Sequence, residues 1–246
     1  MSETKRLQAY MASCGIGSRR ACEKLIKSGK VRVNGQPALL GSSVGPEDAV
    51  VYEGKILRPE TRLRYIILNK PRGFVSSMAD EKGRPVAASL LGVGIPERVY
   101  NVGRLDQWSS GLLLFTNDGE LARILVHPSG GIDKEYIVKS DKPLPRGLAE
   151  SFERGLELGN ETLRALEAEL IGDTTLRVVL LEGKNREIRR VLEHYGLRTL
   201  SLRRVRLGPI HLGDLPEGAY RELDPQEVVA LLEYSKRKEG EKGSTQ

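Results

Sequence analysis

The sequence predicts an α+β protein built as a small N-terminal domain followed by a larger one. Two short amphipathic helices and a hairpin fill the first fifty residues, and a segment with little periodicity comes after them. The remaining chain alternates apolar strand-like runs with short helices, and 246 residues suffice for a medium domain with a small companion. The predicted organisation is a first domain over 1–53, a linker over 54–64, a second domain over 65–235 and a disordered charged tail over 236–246.

The charge distribution indicates a polyanionic partner. The formal net charge is +6 and the isoelectric point is near 9.3, a modest excess that proteins without such a partner also show. The positive charge is concentrated between Lys5 and Arg32 and again between Lys184 and Arg206. Two separated basic patches favour a long phosphate backbone that the protein contacts at two places.

Other classes of protein are disfavoured by composition. Cys14 and Cys22 are too few for a disulfide framework, and the three histidines, including His127, are scattered, so we expect no metal site. The N-terminus does not resemble a signal peptide, and no apolar run approaches the length of a membrane span. We therefore expect a protein that is located in the cytoplasm and does not contact membranes.

The first domain should begin with two helices. Leu7, Tyr10, Met11 and Cys14 follow the spacing of an amphipathic helix, and Ser18 is placed to cap a second one. A hairpin should follow. Val31 and Val33 alternate with a polar residue, as in a strand, and Asn34-Gly35 directly after them is a strong two-residue turn signal. A further strand over Ala49–Tyr52 would complete the domain.

The second domain opens with a buried strand, Tyr65–Leu68, that runs into the turn Asn69–Gly73. Its central feature is Asp106, which lies in a polar turn between a strand-like run, Val99–Leu105, and an almost wholly apolar strand. Loops on a rigid scaffold often present catalytic groups. The alternative is that Asp106 is an ordinary turn former, since Ser109, Ser110 and Gly111 soon follow it.

The rest of the chain continues this alternation. The pattern predicts helices over Glu120–Val126, Arg146–Arg154 and Arg186–Tyr195. It predicts strands over Lys134–Lys139, Thr162–Leu170 and Leu176–Leu181, and a strand pair over Thr199–Leu212. Asp224, Pro225 and Glu227 have the spacing of a capping box that starts a last helix ending near Tyr234.

The first domain resembles the S4-type RNA-binding domain over about Lys5–Tyr52. The residues that carry the likeness are Gly17-Ser18-Arg19-Arg20 and Val33-Asn34-Gly35. The resemblance implies that Arg19, Arg20 and Lys24 contact RNA. The alternative is a solvated helix face whose charges keep the domain soluble.

The second domain resembles the bacterial ribosomal-RNA pseudouridine synthases of the RsuA/RluB type. Four motifs occur in the family's order: Lys70-Pro71-Arg72-Gly73, Gly103-Arg104-Leu105-Asp106 with Ser110–Leu113, Lys134-Glu135-Tyr136, and Asn185–Arg190. The likeness implies a catalytic domain with a long mixed, mostly antiparallel sheet, flanking helices and a central RNA-binding cleft. It also implies conversion of uridine to pseudouridine without a cofactor.

The resemblance assigns roles to individual residues. Asp106 would be the essential carboxylate, Arg189 the guanidinium that keeps it ionised and oriented, and Tyr136 the tyrosine that packs on the target base. Because the base must leave its stack, Arg104 would hold the vacated position or the adjacent phosphate. The other expected RNA contacts are cationic: Lys70, Arg72, Lys184, Arg186, Arg190, Arg203 and Arg204.

The form of the last motif, Asn185-Arg186-Glu187-Ile188-Arg189, resembles the branch that modifies large-subunit ribosomal RNA. We therefore expect a large-subunit stem-loop or assembly intermediate as the substrate and a monomeric enzyme. Gln107 and Trp108 depart from the family pattern, and an exposed Trp108 would be able to stack on RNA. The alternatives are a non-catalytic RNA-binding ribosome assembly factor and, more weakly, a hydrolase that uses Asp106 with a second acid.

Overall fold

The computed structural model describes residues 4–92, 94–126 and 132–243. The chain folds as two compact units. Of the described residues, the first unit holds 4–64 together with Ile95–Val99 and Asn117–Gly119, and the second unit holds the others.

The first unit combines two helices with short antiparallel strands. A four-stranded sheet has the order β3-β2-β5-β6, and β1 pairs with β4. The elements are β1 (Lys5–Arg6), α1 (Leu7–Ser13), α2 (Arg19–Lys27), β2 (Val31–Val33), β3 (Gln36–Pro37), β4 (Ser43–Val44), β5 (Val50–Tyr52) and β6 (Lys55–Ile56).

Local sequence signals account for this unit. The helices bury Leu7, Met11, Cys22 and Ile26 in one cluster, and the Oγ of Ser18 accepts a hydrogen bond from the Ala21 N–H at 3.2 Å, as its capping position predicts. Asn34 and Gly35 both have positive φ, 51° and 81°, and connect β2 to β3. A two-residue hairpin turn of this kind needs such angles, so the predicted hairpin is confirmed.

Part of the segment predicted as a linker has regular structure. Strand β6 lies within it, Leu57 is buried, and Arg64 forms a bidentate ion pair with Glu97 at 2.7 and 3.1 Å. All of these residues belong to the first unit. A two-residue strand and one apolar side chain produce no periodicity, which explains why this structure was not predicted.

The second unit contains a long sheet and most of the helices. Its elements are β7 (Tyr65–Lys70), a 3₁₀ helix (Ala87–Leu91), β8 (Tyr100–Val102), β9 (Ser110–Thr116), α3 (Gly119–Val126), β10 (Lys134–Ser140), α4 (Leu148–Arg154), β11 (Leu156–Leu158), β12 (Glu161–Leu163), β13 (Glu167–Gly172), β14 (Thr175–Leu180), α5 (Glu187–His194), β15 (Thr199–Leu207), β16 (Ile210–His211), β17 (Tyr220–Glu222) and α6 (Pro225–Gly243).

The long sheet is mixed and mostly antiparallel, as the resemblance implies. Its strand order is β13-β14-β10-β15-β9-β7-β17, with β8 also paired to β9 and β16 to β15. The β9–β15 pair is parallel, and it aligns Gly111 with Arg204. Residues of the sheet, α3 and α6 form one apolar cluster that includes Ile67, Leu112, Leu114, Leu121, Leu125 and Leu231.

Two elements of the structure differ from the prediction. The strand predicted over Thr162–Leu170 is two strands, because β12 pairs with β11 in a separate hairpin and only β13 joins the long sheet. Helix α6 continues to Gly243, so the prediction of a disordered tail from 236 is wrong up to that residue. Lys, Arg and Glu are strong helix formers, and a helix can extend past its apolar contacts. Residues 244–246 lie outside the described range.

The start of α6 is as predicted. The Asp224 N–H donates to the Glu227 carboxylate at 3.0 Å, and the Glu227 N–H donates to the Asp224 carboxylate at 2.8 Å. These reciprocal bonds form the expected capping box.

Candidate active site

Asp106 lies on the connection between two paired strands. Strand β8 pairs antiparallel with β9, and residues 103–109 connect them. Leu105 and Ser109 are buried, whereas the Asp106 side chain is exposed. The Ser109 N–H donates to the Asp106 carbonyl at 3.1 Å, which closes a turn. The backbone thus directs the carboxylate away from the core.

Neighbouring segments hold this connection, which we call the Asp106 loop (103–109). The Gly73 N–H donates to the Gln107 carbonyl at 2.8 Å, and the Gln107 side-chain amide donates back to the Gly73 carbonyl at 3.1 Å. The buried Ser76 hydroxyl donates to the Leu105 carbonyl at 2.8 Å and accepts from the Leu105 N–H at 3.0 Å. These reciprocal pairs fix the backbone on both sides of Asp106.

Lys70 also supports the loop from inside the domain. Its Nζ donates to the carbonyls of Pro71 at 2.9 Å, Phe74 at 2.8 Å and Gln107 at 3.4 Å, and its side chain is fully buried. The expected RNA contact of Lys70 is contradicted by this burial. The ammonium instead joins the loop after β7 to the Asp106 loop.

Burial of Lys70 should produce a distinctive pH dependence of stability. Desolvation lowers the pKa of Lys70 from 10.5 to about 8, although Asp106 partly opposes the shift. Between about pH 8 and 10.5 the unfolded chain therefore binds more protons at this residue than the folded chain, and its contribution to the free energy of unfolding rises with pH. The full increase is about 3 kcal/mol for a shift of this size.

Lys70→Met tests this expectation. Urea unfolding of the wild type and the variant at pH 7.5, 8.5 and 9.5 should show that the variant lacks the Lys70 part of the rise. The difference between the two proteins isolates Lys70, because every other titrating group is shared. If the free energy of unfolding rose equally with pH in the wild type and in Lys70→Met, the lowered pKa of Lys70 would be contradicted.

Arg189 comes to the same loop from α5. Its Nη2 donates to the Trp108 carbonyl at 3.0 Å and approaches the Ser109 Oγ at 3.4 Å, although these residues are eighty positions away in sequence. The side chain is buried, and its Nε has no hydrogen-bond partner in the described structure. Burial lowers the pKa of Arg189, the nearby Arg186 lowers it further, and Asp106 opposes both.

The relation between Arg189 and Asp106 is electrostatic rather than a direct bond. Within the described ranges, no ion pair of 4.0 Å or less and no hydrogen bond joins their side chains. The guanidinium instead binds the backbone two residues beyond the acid. In this geometry Arg189 orients the loop and places a positive field near the carboxylate.

A cavity of about 670 Å³ lies beside the loop. Asp106 and Arg104 line it together with Tyr136, which is a buried residue of β10. The volume falls in the range of small-molecule sites and accommodates a nucleotide. The structure thus brings the predicted carboxylate and tyrosine to one cavity.

Arg203 and Arg204 face opposite sides of β15. Arg203 is exposed, but Arg204 is buried and its Nε donates to the Leu112 carbonyl at 2.7 Å. Burial keeps Arg204 from meeting RNA at the surface, and its expected RNA contact stays a prediction. Its Nη2 has no hydrogen-bond partner in the described part of the chain, and the residue lines the cavity.

The other predicted RNA-binding cations fall into two groups. Three have internal partners: Lys184 donates to the Thr162 carbonyl at 2.6 Å, Arg186 pairs with Glu193 at 2.9 Å and Arg190 pairs with Glu161 at 2.5 Å. The exposed side chains of Arg72, Arg104 and Arg203 make no hydrogen bond or ion pair with described residues. These three are therefore available for external anions.

In the first unit, α2 presents a basic face. Arg19, Arg20 and Lys24 are exposed, whereas Cys22 and Ile26 of the same helix are buried. The structure leaves these three side chains open to a phosphate backbone.

Sequence reasoning missed two polar groups that shape the site. Ser76 lies in a segment without periodicity, and only its contact with Leu105 reveals its role. Glu187 is buried and accepts from the N–H groups of Lys184 and Arg164, both at 3.3 Å, so it joins the start of α5 to the segment after β12. Burial raises the pKa of Glu187, and these two N–H donors oppose the shift. The motif contained Glu187, but its burial left no signal in the sequence.

Among residues 4–92, 94–126 and 132–243, no three His, Cys, Asp or Glu side chains are grouped as metal ligands. His127 lies outside these ranges. The helices within them are all too short or too polar to cross a membrane.

Comparisons with known proteins agree on one family. The model of the RNA pseudouridylate synthase family matches residues 64–194, and the S4 domain model matches residues 5–50. An uncharacterized RNA pseudouridine synthase from Borreliella burgdorferi is 40% identical over 231 residues, with 92% of each chain covered. The ribosomal large subunit pseudouridine synthase B of Bacillus subtilis is 39% identical, over 92% of this chain and 95% of that protein. The crystal structure of a pseudouridylate synthase superimposes with a TM-score of 0.67 and 25% identity, covering 92% of this chain and 99% of the other.

Proposed function

We propose that this chain, which belongs to the RNA pseudouridine synthase family, isomerises a uridine of large-subunit ribosomal RNA at the cavity lined by Asp106. The observation that carries the assignment of the site is the convergence of Asp106 and Tyr136 on one cavity of nucleotide size. Arg189 supports it, because its side chain is buried next to the loop that bears the acid.

The reaction needs few groups. The bond between N1 of uracil and C1′ of ribose breaks, the base turns, and a bond forms between C5 and C1′. The proton on C5 is lost and N1 carries a hydrogen in the product, so no electron, group or cofactor enters or leaves. In this scheme an ionised Asp106 triggers the cleavage, either as a nucleophile or by stabilising the charge that develops on the sugar.

Tyr136 and Arg204 shape the pocket for the base. Tyr136 belongs to a central strand of the sheet, so its ring has a fixed position against which the uracil packs. The Nη2 of Arg204 is a buried donor without a described partner on the cavity wall, and it is suited to a polar atom of the nucleotide. The base reaches this pocket only after it leaves its stack in the RNA, so the enzyme acts on a flipped nucleotide.

Exposed cations guide the RNA to this pocket. Arg104 is two residues from Asp106 and is placed to contact the phosphate beside the flipped nucleotide, while Arg72 and Arg203 bind further phosphates. Arg19, Arg20 and Lys24 of the S4 domain supply a second basic face for the same RNA. We further propose that the enzyme is a monomer and works in the cytoplasm, where ribosomal RNA is modified.

The proposed substrate is tested by mapping the pseudouridines in ribosomal RNA from cells with and without the gene. One large-subunit position should lose its pseudouridine in the deletion and regain it on complementation. Loss at a small-subunit position would overturn the choice of subunit. Purified protein should also release tritium from large-subunit RNA labelled at C5 of uridine, because that hydrogen leaves during the reaction.

Arg189→Met should slow the reaction by about 100-fold at saturating RNA, because it removes the positive field and the donor that holds the Trp108 carbonyl. The free energy of unfolding should change by less than about 2 kcal/mol, since the lost bonds are offset by relief from burying a charge. The matched control is Arg190→Met, which loses an ion pair with Glu161 but no contact with the Asp106 loop. Tritium release under single-turnover conditions distinguishes the two variants, and equal rates would contradict the role of Arg189.

A further inference from the structure

The single tryptophan of the chain, Trp108, lies two residues after Asp106. Trp108 is 56% exposed, although Ser109 and Ser110 directly after it are buried. The apolar clusters that contain Leu112 and Met11 do not include Trp108, and no ring or cation contact with another described residue occupies its indole. A large aromatic side chain is therefore more than half exposed two residues after the proposed catalytic carboxylate.

The backbone that carries this indole is held by hydrogen bonds. Arg189 binds the Trp108 carbonyl, and the preceding carbonyl of Gln107 accepts from the Gly73 N–H and from Lys70. The loop backbone therefore holds the Cα of Trp108 at a set place before any ligand arrives. Binding then need not order the loop backbone, which lowers the conformational entropy lost on binding.

Free cations border the same place. Arg72 directly precedes Gly73, whose N–H is bonded to the residue before Trp108, and Arg104 is four residues before Trp108 on the same loop. Both guanidinium groups are exposed and make no bond to described residues. An aromatic face flanked by unpaired positive charges is the combination that binds single-stranded nucleic acid, because bases stack on the ring while phosphates contact the cations.

We propose that Trp108 stacks on an unpaired nucleobase adjacent in the RNA chain to the uridine held at Asp106. The indole is too exposed to be a wall of the cavity that receives the target base, and it does not line that cavity. A neighbouring nucleotide is the part of the substrate that lies just outside. This role rests on the proposed function, and it makes Trp108 a residue that recognises an unpaired base next to the target.

Intrinsic fluorescence tests the stacking directly, because all tryptophan emission comes from Trp108. Single-stranded oligouridylate should quench the emission as it binds, whichever ribosomal RNA is the natural substrate. Anisotropy of a dye-labelled oligouridylate measures binding independently. Binding without quenching would overturn the proposal while leaving pseudouridine synthesis intact, and emission that shifts with protein concentration without RNA would indicate a second copy as the occupant and also overturn it.

Variants and modified RNA then locate the contact. On the stem-loop that contains the mapped uridine, Trp108→Ala should raise KM by about 10-fold or more with little change in kcat, and Trp108→Phe should restore most of the loss. An abasic nucleotide next to the target should weaken binding to the wild type but not further weaken binding to Trp108→Ala. Leu200→Ala, which truncates another exposed apolar side chain of the second unit, is the control. Additive effects of the abasic site and Trp108→Ala would overturn the proposal, and tritium release by the wild type would show that the proposed function still holds.

Discussion

Asp106→Asn is expected to lower pseudouridine formation by at least about 1000-fold and to leave RNA affinity within about 2-fold of the wild type. Asparagine has the same shape as aspartate, but it has no charge with which to attack or stabilise C1′. The Asp106 side chain is exposed and makes no bond to described residues, so the substitution removes no packing. Tritium release under single-turnover conditions measures the rate, and filter binding of the same RNA measures the affinity.

The matched control for this variant is Asp173→Asn. Asp173 is an exposed acid of the second unit in the turn between β13 and β14, where asparagine is equally favourable. The Asp173→Asn variant should form pseudouridine at the wild-type rate. Normal modification by Asp106→Asn would contradict the catalytic role, and it is the result that a non-catalytic assembly factor would give.

Gly111→Ala is expected to destabilise the second unit by about 4 kcal/mol or more, a large share of the stability of a typical domain. Gly111 has φ +101°, and a Cβ there would overlap the carbonyl oxygen of Arg204 and lie 2.7 Å from its nitrogen. Both are backbone atoms of the parallel neighbour, β15, and cannot rotate away. Relief requires separation of β9 from β15 at the centre of the sheet, directly after the Asp106 loop.

Thermal and urea unfolding followed by circular dichroism measure this effect, which should exceed about 10 °C in Tm. Gly147→Ala is the control, because Gly147 also has positive φ, +85°, but no described atom lies within 4 Å of the place that its Cβ would occupy. It should show only the cost of the backbone angle, about 1–2 kcal/mol. Equal destabilisation by the two variants would show that the close approach of β15 is not the cause.

Features that depend on neighbouring residues could be predicted from the order of the amino acids alone. The turn at Asn34-Gly35, the Ser18 cap and the capping box of α6 follow from local hydrogen bonds and backbone angles, which a few adjacent residues set. The order of the motifs also identified the family. Asp106 could be put forward as a candidate because a polar turn between two apolar runs is visible without coordinates.

Only the folded chain shows which cations face solvent and which support the site. Arg203 and Arg204 are the same residue type in adjacent positions, and the alternation of the strand exposes the first and buries the second. Lys70 is buried because carbonyls from two loops, one of them 37 residues away, converge on its ammonium. The sequence reveals that a charge is present, but the partner that makes its burial tolerable comes from distant parts of the chain, and so its role depends on the fold.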